Sequence, residues 1–136
     1  MFNNNAVKKQ RVLVVDDQPK LMRFIEIDLK LRGFEVVTTT SGEEALKLAQ
    51  AAWPDIMLVD IIMPEMDGFE LLRRLRSFTR LPVIALSASH GSLDEAMRCG
   101  ANDFLNKPFR SDEIVRRIGE LLGRGDGQEN PETVRR

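Results

Sequence analysis

Asp16, Asp17, Asp60, Ser87 and Lys107 share one sequence context, because each follows a short apolar run. Val12 to Val15 leads into the acidic pair, Ile56 to Val59 into Asp60, Val83 to Leu86 into Ser87, and Phe104-Leu105 into Lys107. In an open α/β sheet, ligands bind at the carboxyl ends of the strands, beside the point where strand order reverses. These residues are therefore expected to converge on one pocket holding three carboxylates, a hydroxyl and an ammonium. Crowded carboxylates must raise their pKa values or recruit a cation. Hard oxygen donors with no neighbouring His or thiolate favour Mg²⁺ or a similar ion over Zn²⁺. Asp17 is the expected direct ligand, Asp16 acts directly or through water, and the Ile62 carbonyl just past Asp60 completes the set. Ser87 and Lys107 are then left to grip an anion, which suggests a phosphoryl group, whose transfer needs mainly positioning and charge neutralisation. The nucleophile would be a carboxylate, and Asp60 is the one placed between the metal ligands and Lys107. No residue offers itself as a general base for water, so the acyl phosphate is expected to persist.

The elements that would position these residues are legible in the periodicity. Leu21, Phe24, Ile25 and Leu29 recur at helical spacing and predict a first helix, ended by Gly33. Phe34 to Thr38 reads as a second strand. Ser41 is the expected N-cap of a second helix, with Glu44 completing a capping box and Ala45, Leu46 and Ala49 on its buried face. Pro54-Asp55 breaks that helix and launches strand three, and Met63 to Gly68 reads as a loop in which Gly68 supplies backbone freedom and Glu65 and Asp67 are solvated charge. Phe69, Leu72, Leu75 and Phe78 mark helix three. Leu81 to Ser87 is strand four, with Pro82 near its start. Gly91-Ser92 opens helix four, with Leu93, Ala96 and Met97, Gly100 closes it, and His90 sits at or just before its start. Strand five spans Asn102 to Asn106, and Ile114, Val115, Ile118, Leu121 and Leu122 make helix five amphipathic. Regular alternation of strand and helix implies parallel strands with right-handed crossovers. The expected fold is a flavodoxin-like (βα)5 three-layer sandwich with sheet order 2-1-3-4-5, which places Asp16 and Asp17 beside Asp60.

The 136 residues fit one domain. A net charge of −1 argues against a surface that coats nucleic acid, which needs clustered Lys and Arg, so direct nucleic-acid binding by this domain is not expected. Cys99 is the only cysteine, which excludes an intramolecular disulfide and fits a reducing cytoplasm; it is expected as a small buried apolar residue. No segment approaches the roughly 18 apolar residues of a membrane span, and residues 1–10 are polar and unlike a signal peptide. A cytoplasmic location without membrane contact is expected. Residues 1–10 read as a flexible N-terminal segment, and residues 123–136, which lose apolar periodicity, as a flexible tail or linker. Trp53 is expected to cover a helix end.

Val14-Val15-Asp16-Asp17, the run Asp60-Ile61-Ile62-Met63-Pro64-Glu65-Met66-Asp67-Gly68, Leu86-Ser87-Ala88 and Gly100 to Phe109 together resemble the receiver domain of two-component response regulators. The resemblance covers residues 11–122. It implies that Asp60 accepts a phosphoryl group from a histidine kinase or histidine phosphotransfer protein, in a site where Asp16, Asp17, Asp60 and the Ile62 carbonyl hold Mg²⁺. Lys107 and Ser87 would contact the phosphoryl group. Ser87 and Phe104 would be the switch pair, altering the face built by helix four, strand five and helix five for a downstream protein or output domain. The protein would assist its own phosphorylation and dephosphorylation without being an enzyme in the ordinary sense. The Lys107-Pro108 bond is expected to be cis. Arg98 and Asp112 depart from the charge pattern of receivers joined to winged-helix DNA-binding domains, so a dimer of that type is not implied, although another phosphorylation-dependent homodimer is allowed.

Two other classes compete. A phosphohydrolase with an aspartyl intermediate would need an acid/base two positions after the nucleophile, where this chain has Ile62. A phosphorylation-independent interaction module would not bind Mg²⁺.

Overall fold

In the computed structural model, which describes residues 8–63, 67–88 and 90–123, five strands alternate with five helices. The strands are β1 (Arg11–Val15), β2 (Glu35–Thr39), β3 (Ile56–Asp60), β4 (Val83–Ser87) and β5 (Asp103–Asn106). The helices are α1 (Pro19–Leu31), α2 (Gly42–Gln50), α3 (Gly68–Arg76), α4 (His90–Arg98) and α5 (Ser111–Leu122). All four pairings are parallel, and the sheet order is β2-β1-β3-β4-β5, as the alternation and the resemblance predict.

The central strands are apolar throughout Val12–Val15, Ile56–Val59 and Val83–Leu86 because both faces of the sheet are covered there. Leu13, Val15, Met57, Val59, Val83 and Ala85 point to one face and meet Ala45, Leu46, Leu71, Leu72, Leu75, Leu93 and Ala96 from α2, α3 and α4. Val12, Val14, Ile56, Leu58, Ile84 and Leu86 point to the other and meet Met22, Ile25, Leu29, Ile114 and Ile118 from α1 and α5. Strict alternation within uniformly apolar strands thus splits one sheet between two cores.

Several sequence expectations need correction. Phe24 is 53% exposed, because the face of α1 that meets the sheet is Met22, Ile25 and Leu29, and Phe24 stands about 100° around the helix from Ile25. Phe78 and Met97 are also exposed. Phe78 lies beyond the C-cap Ser77, off the helical stripe, and Leu93 and Ala96 already fill the contact that α4 makes. The Ser41 hydroxyl does accept from the Glu44 N–H at 3.1 Å, but the Glu44 carboxylate accepts from the Thr39 hydroxyl instead of closing a capping box. The Ser41 N–H is taken by that same Thr39 hydroxyl.

Asp67 is the N-cap of α3 and accepts from the Phe69 N–H at 2.9 Å, so it is more than solvated charge. Gly68 serves close approach, not loop freedom: a Cβ there would meet the Ile61 Cα and carbonyl oxygen at 2.6 Å. Cys99 is half-buried, with an Arg73 guanidinium N–H 3.4 Å from its sulfur. Trp53 packs on the edge of the core beyond α2 with the Arg11 guanidinium 5.5 Å from its ring centroid, as a cation over an aromatic face. Pro64, Glu65, Met66, residues 1–7 and residues 124–136 lie outside the described residues.

Candidate functional site

The backbone brings the site together before any side chain acts. Val15 is the register partner of Val59, so the next residues on the two strands, Asp16 and Asp60, emerge side by side. Asp60 in turn pairs with Leu86, which precedes Ser87. The ladder between β4 and β5 runs one residue past β5, where the Lys107 N–H donates to the Ser87 carbonyl at 2.8 Å and carries Lys107 to the same edge. The Lys107-Pro108 bond is cis.

Asp16, Asp17 and Asp60 each present a carboxylate oxygen within 4.8 Å of the others. Asp16 and Asp60 are buried and Asp17 is half-buried. Asp16 is fixed from two directions: its Oδ1 accepts from the Gln18 N–H at 2.9 Å and its Oδ2 from Lys107 Nζ at 3.1 Å. Asp60 is held likewise, with Oδ1 accepting from the Ile62 N–H at 3.1 Å and Oδ2 from Lys107 Nζ at 3.3 Å. Lys107 therefore bridges two acids that would otherwise repel. Burial pushes the Asp60 carboxyl above the usual carboxylate range, the nearby Asp16 charge pushes it the same way, and Lys107 opposes both.

Such a cluster fits a hard divalent cation. Its donors are all oxygens, one of them half-open to solvent, so bound waters can remain, as Mg²⁺ prefers. Ile62 sits beside it, with its N–H committed to Asp60 and its side chain 59% exposed. Ser87 is buried at the end of β4, and its hydroxyl lies 2.9 Å from the Ser92 hydroxyl on α4. Phe104 is half-buried against the core beneath α2, α3 and α4, while Leu105, the next residue, faces the opposite core. Arg117 of α5 clamps this strand, donating to the Phe104 carbonyl at 2.9 Å and pairing with Asp103 at 2.7 Å.

The sequence-predicted residues Asp16, Asp17, Asp60 and Lys107 thus meet directly, with the Ile62 backbone beside them. Ser87 joins them through the backbone of Lys107. Two neighbours escaped sequence reasoning. Gln18 accepts from Lys107 Nζ at 2.9 Å through its Oε1. Its signal was the following Pro19, which disfavours the α region for the preceding residue and keeps Gln18 extended at the site's edge. Ser92 was read only as a helix opener, and its partnership with Ser87 depends on how α4 docks.

Known proteins share this fold. The family model described as the response regulator receiver domain matches residues 12–119. The transcriptional regulatory protein KdpE of Mycobacterium tuberculosis is 40% identical over 115 residues, covering 83% of this chain and 51% of that protein, so the chain spans about half the length of this relative. A crystal structure of a response regulator from Chloroflexus aurantiacus superposes with a TM-score of 0.81 at 34% identity, covering 86% of this chain and 100% of that one. The receiver domain of the sensor histidine kinase PA1611 from Pseudomonas aeruginosa, solved with a magnesium ion in its active-site cleft, superposes with a TM-score of 0.79 at 31% identity, covering 85% and 99%.

Proposed function

The chain belongs to the response regulator receiver domains of two-component signalling, and from that premise we propose that it is a phosphoryl-accepting switch acting through Asp60. The observation that carries the proposal is the cluster itself: three carboxylates within 4.8 Å of one another, two of them bridged by Lys107. Asp16, Asp17, Asp60 and the Ile62 carbonyl would hold Mg²⁺. When bound there, the ion neutralises the carboxylates and the charge on the transferring phosphoryl oxygens.

Asp60 attacks the phosphorus of a phosphohistidine on a histidine kinase or histidine phosphotransfer protein. An O–P bond to Asp60 forms as the P–N bond breaks, and the histidine leaves with its electron pair. The burial that raises the proton affinity of Asp60 also strips water from its nucleophilic oxygen. Lys107 needs little movement, since it already lies 3.3 Å from Asp60 Oδ2, where a phosphoryl group would attach. The Ser87 hydroxyl exchanges its Ser92 partner for a phosphoryl oxygen. That exchange loosens a contact between β4 and α4, and Phe104 turns into the space released. The face of α4, β5 and α5 changes as a result, and a downstream protein, an output domain or a second phosphorylated copy reads it.

Incubation with Mg²⁺ and a small phosphodonor such as acetyl phosphate tests the reading. One base-labile phosphate is expected in the wild type and none in Asp60→Asn, measured by intact mass. Equal labelling of the two proteins would sink the assignment of Asp60.

A further inference from the structure

Gln18 touches both halves of the site at once. Its backbone N–H holds Asp16 Oδ1 at 2.9 Å, while its side-chain Oε1 accepts from Lys107 Nζ at 2.9 Å. Among the described residues the Lys107 ammonium meets three acceptors, Gln18 Oε1, Asp16 Oδ2 at 3.1 Å and Asp60 Oδ2 at 3.3 Å, which match its three N–H donors. Gln18 makes the shortest of the three contacts and is the only neutral partner. We propose that Gln18 is a positioning residue that keeps the Lys107 ammonium poised over Asp60 for the incoming phosphoryl group.

The local sequence explains why this residue can do so. Pro19 begins α1, and Gln18 before it adopts φ −100° and ψ 103°, extended backbone that leads the chain from Asp16 and Asp17 into the helix. The Gln18 side chain makes no capping bond to the start of α1 and is therefore available to reach Lys107. A lysine has four rotatable side-chain bonds, and its flexible stem gains much freedom when its head is released. Two carboxylates attract the ammonium, but one of them, Asp60, must give up its place to a phosphoryl oxygen. A neutral amide keeps its hold through that exchange, and it does not compete with the arriving anion as a third carboxylate would. The benefit is preorganisation, ordering completed before the reactant arrives.

This inference rests on the phosphoryl-accepting reading of Asp60, and the experiment separates the two. The whole chain is labelled with acetyl phosphate at a series of Mg²⁺ concentrations in the wild type, Asp60→Asn, Gln18→Ala, Lys107→Ala and the Gln18→Ala/Lys107→Ala double variant. Gln18→Ala is expected to slow labelling about two- to fivefold, the scale of one modest hydrogen bond. Its Mg²⁺ half-saturation and melting temperature should match the wild type, because the backbone N–H that orients Asp16 survives the substitution. In the Lys107→Ala background the same substitution should have no further effect, since the two residues act as a unit. An unchanged rate in Gln18→Ala would overturn the inference. So would an equal slowing with Lys107 absent, or a shifted Mg²⁺ half-saturation, which would signal distortion of the acid cluster. In each of these cases labelling of the wild type but not Asp60→Asn leaves the phosphoacceptor reading standing. No labelling of the wild type would overturn both.

Discussion

A buried carboxylate beside another carboxylate is a poor choice for stability, and Asp60 is such a group. Its folded-state pKa is raised, first by burial and then by Asp16, so the folded protein holds the Asp60 proton more tightly than the unfolded chain does. Stability attributable to this group is therefore lost as pH climbs from the unfolded-chain value through the raised one, and the full cost stands at neutral pH. Asp60→Asn removes that cost. Without divalent cations, thermal unfolding near neutral pH should show the variant about 1 kcal/mol more stable, or about 4 °C higher in Tm. The advantage should shrink as pH falls through the raised value, where Asp60 is itself neutral; an advantage that grows on acidification would contradict the assignment. The same substitution is expected to abolish labelling, the outcome of a site that trades stability for chemistry. At this scale Asp16, Asp17, Asp60, Ser87 and Lys107 were legible in the sequence, because each directly follows or closely trails an apolar strand. Gln18 and Ser92 were not, because neither ends a strand and each matters only through a partner brought near by folding.

Helix ends govern how the elements carry the site, and three of them share one device. After α1, the Phe34 N–H reaches the Leu29 carbonyl and the Gly33 N–H reaches Lys30. After α4, Ala101 and Gly100 do the same with Ala96 and Met97, and after α2, Trp53 and Ala52 do so with Leu48 and Ala49. This paired pattern needs a left-handed residue at its centre. Gly33 and Gly100 meet that need, at φ of 98° and 116°, whereas Ala52 adopts φ 58° with a Cβ that disfavours it. Ala52→Gly should accordingly stabilise the domain by about 0.5–1 kcal/mol, the relief of strain exceeding the added entropy of the unfolded glycine. Chemical denaturation checks this, and a loss of stability would show that the alanine packs to better effect than its backbone suggests. The helical pattern and the glycines revealed where α1 and α4 end. The buried face of α1 was misread, because Phe24 and Ile25 are both apolar neighbours and only docking on the sheet chooses between them.

At the scale of the molecule, one sheet separates two cores, and the site sits where the strands run out of both. Leu58 lies at the middle of β3 in the core beneath α1 and α5, fully buried and two residues from Asp60. Leu58→Ala should cost about 2–5 kcal/mol through lost burial and a residual cavity. Urea unfolding should remain a single transition with an unchanged slope and a lower midpoint, as for one cooperative unit. Two separate transitions would instead show that the cores on the two faces of the sheet unfold independently. Among the described residues no helix is long and apolar enough to cross a membrane. The sequence by itself determined the alternation of elements, the sheet order that followed from it, and the strand-end residues that converge. It could do so because burial on both faces of a parallel sheet leaves uniform apolar runs, and the residue after such a run must emerge at the sheet's edge. Tertiary structure alone decided that Lys107 bridges Asp16 and Asp60 with Gln18 as its third partner, that Thr39 takes the Glu44 carboxylate, and that Gly68 admits the Ile61 backbone. Each of these is a contact of a few ångströms between chain segments, set by how elements pack, and no spacing along a sequence encodes it directly.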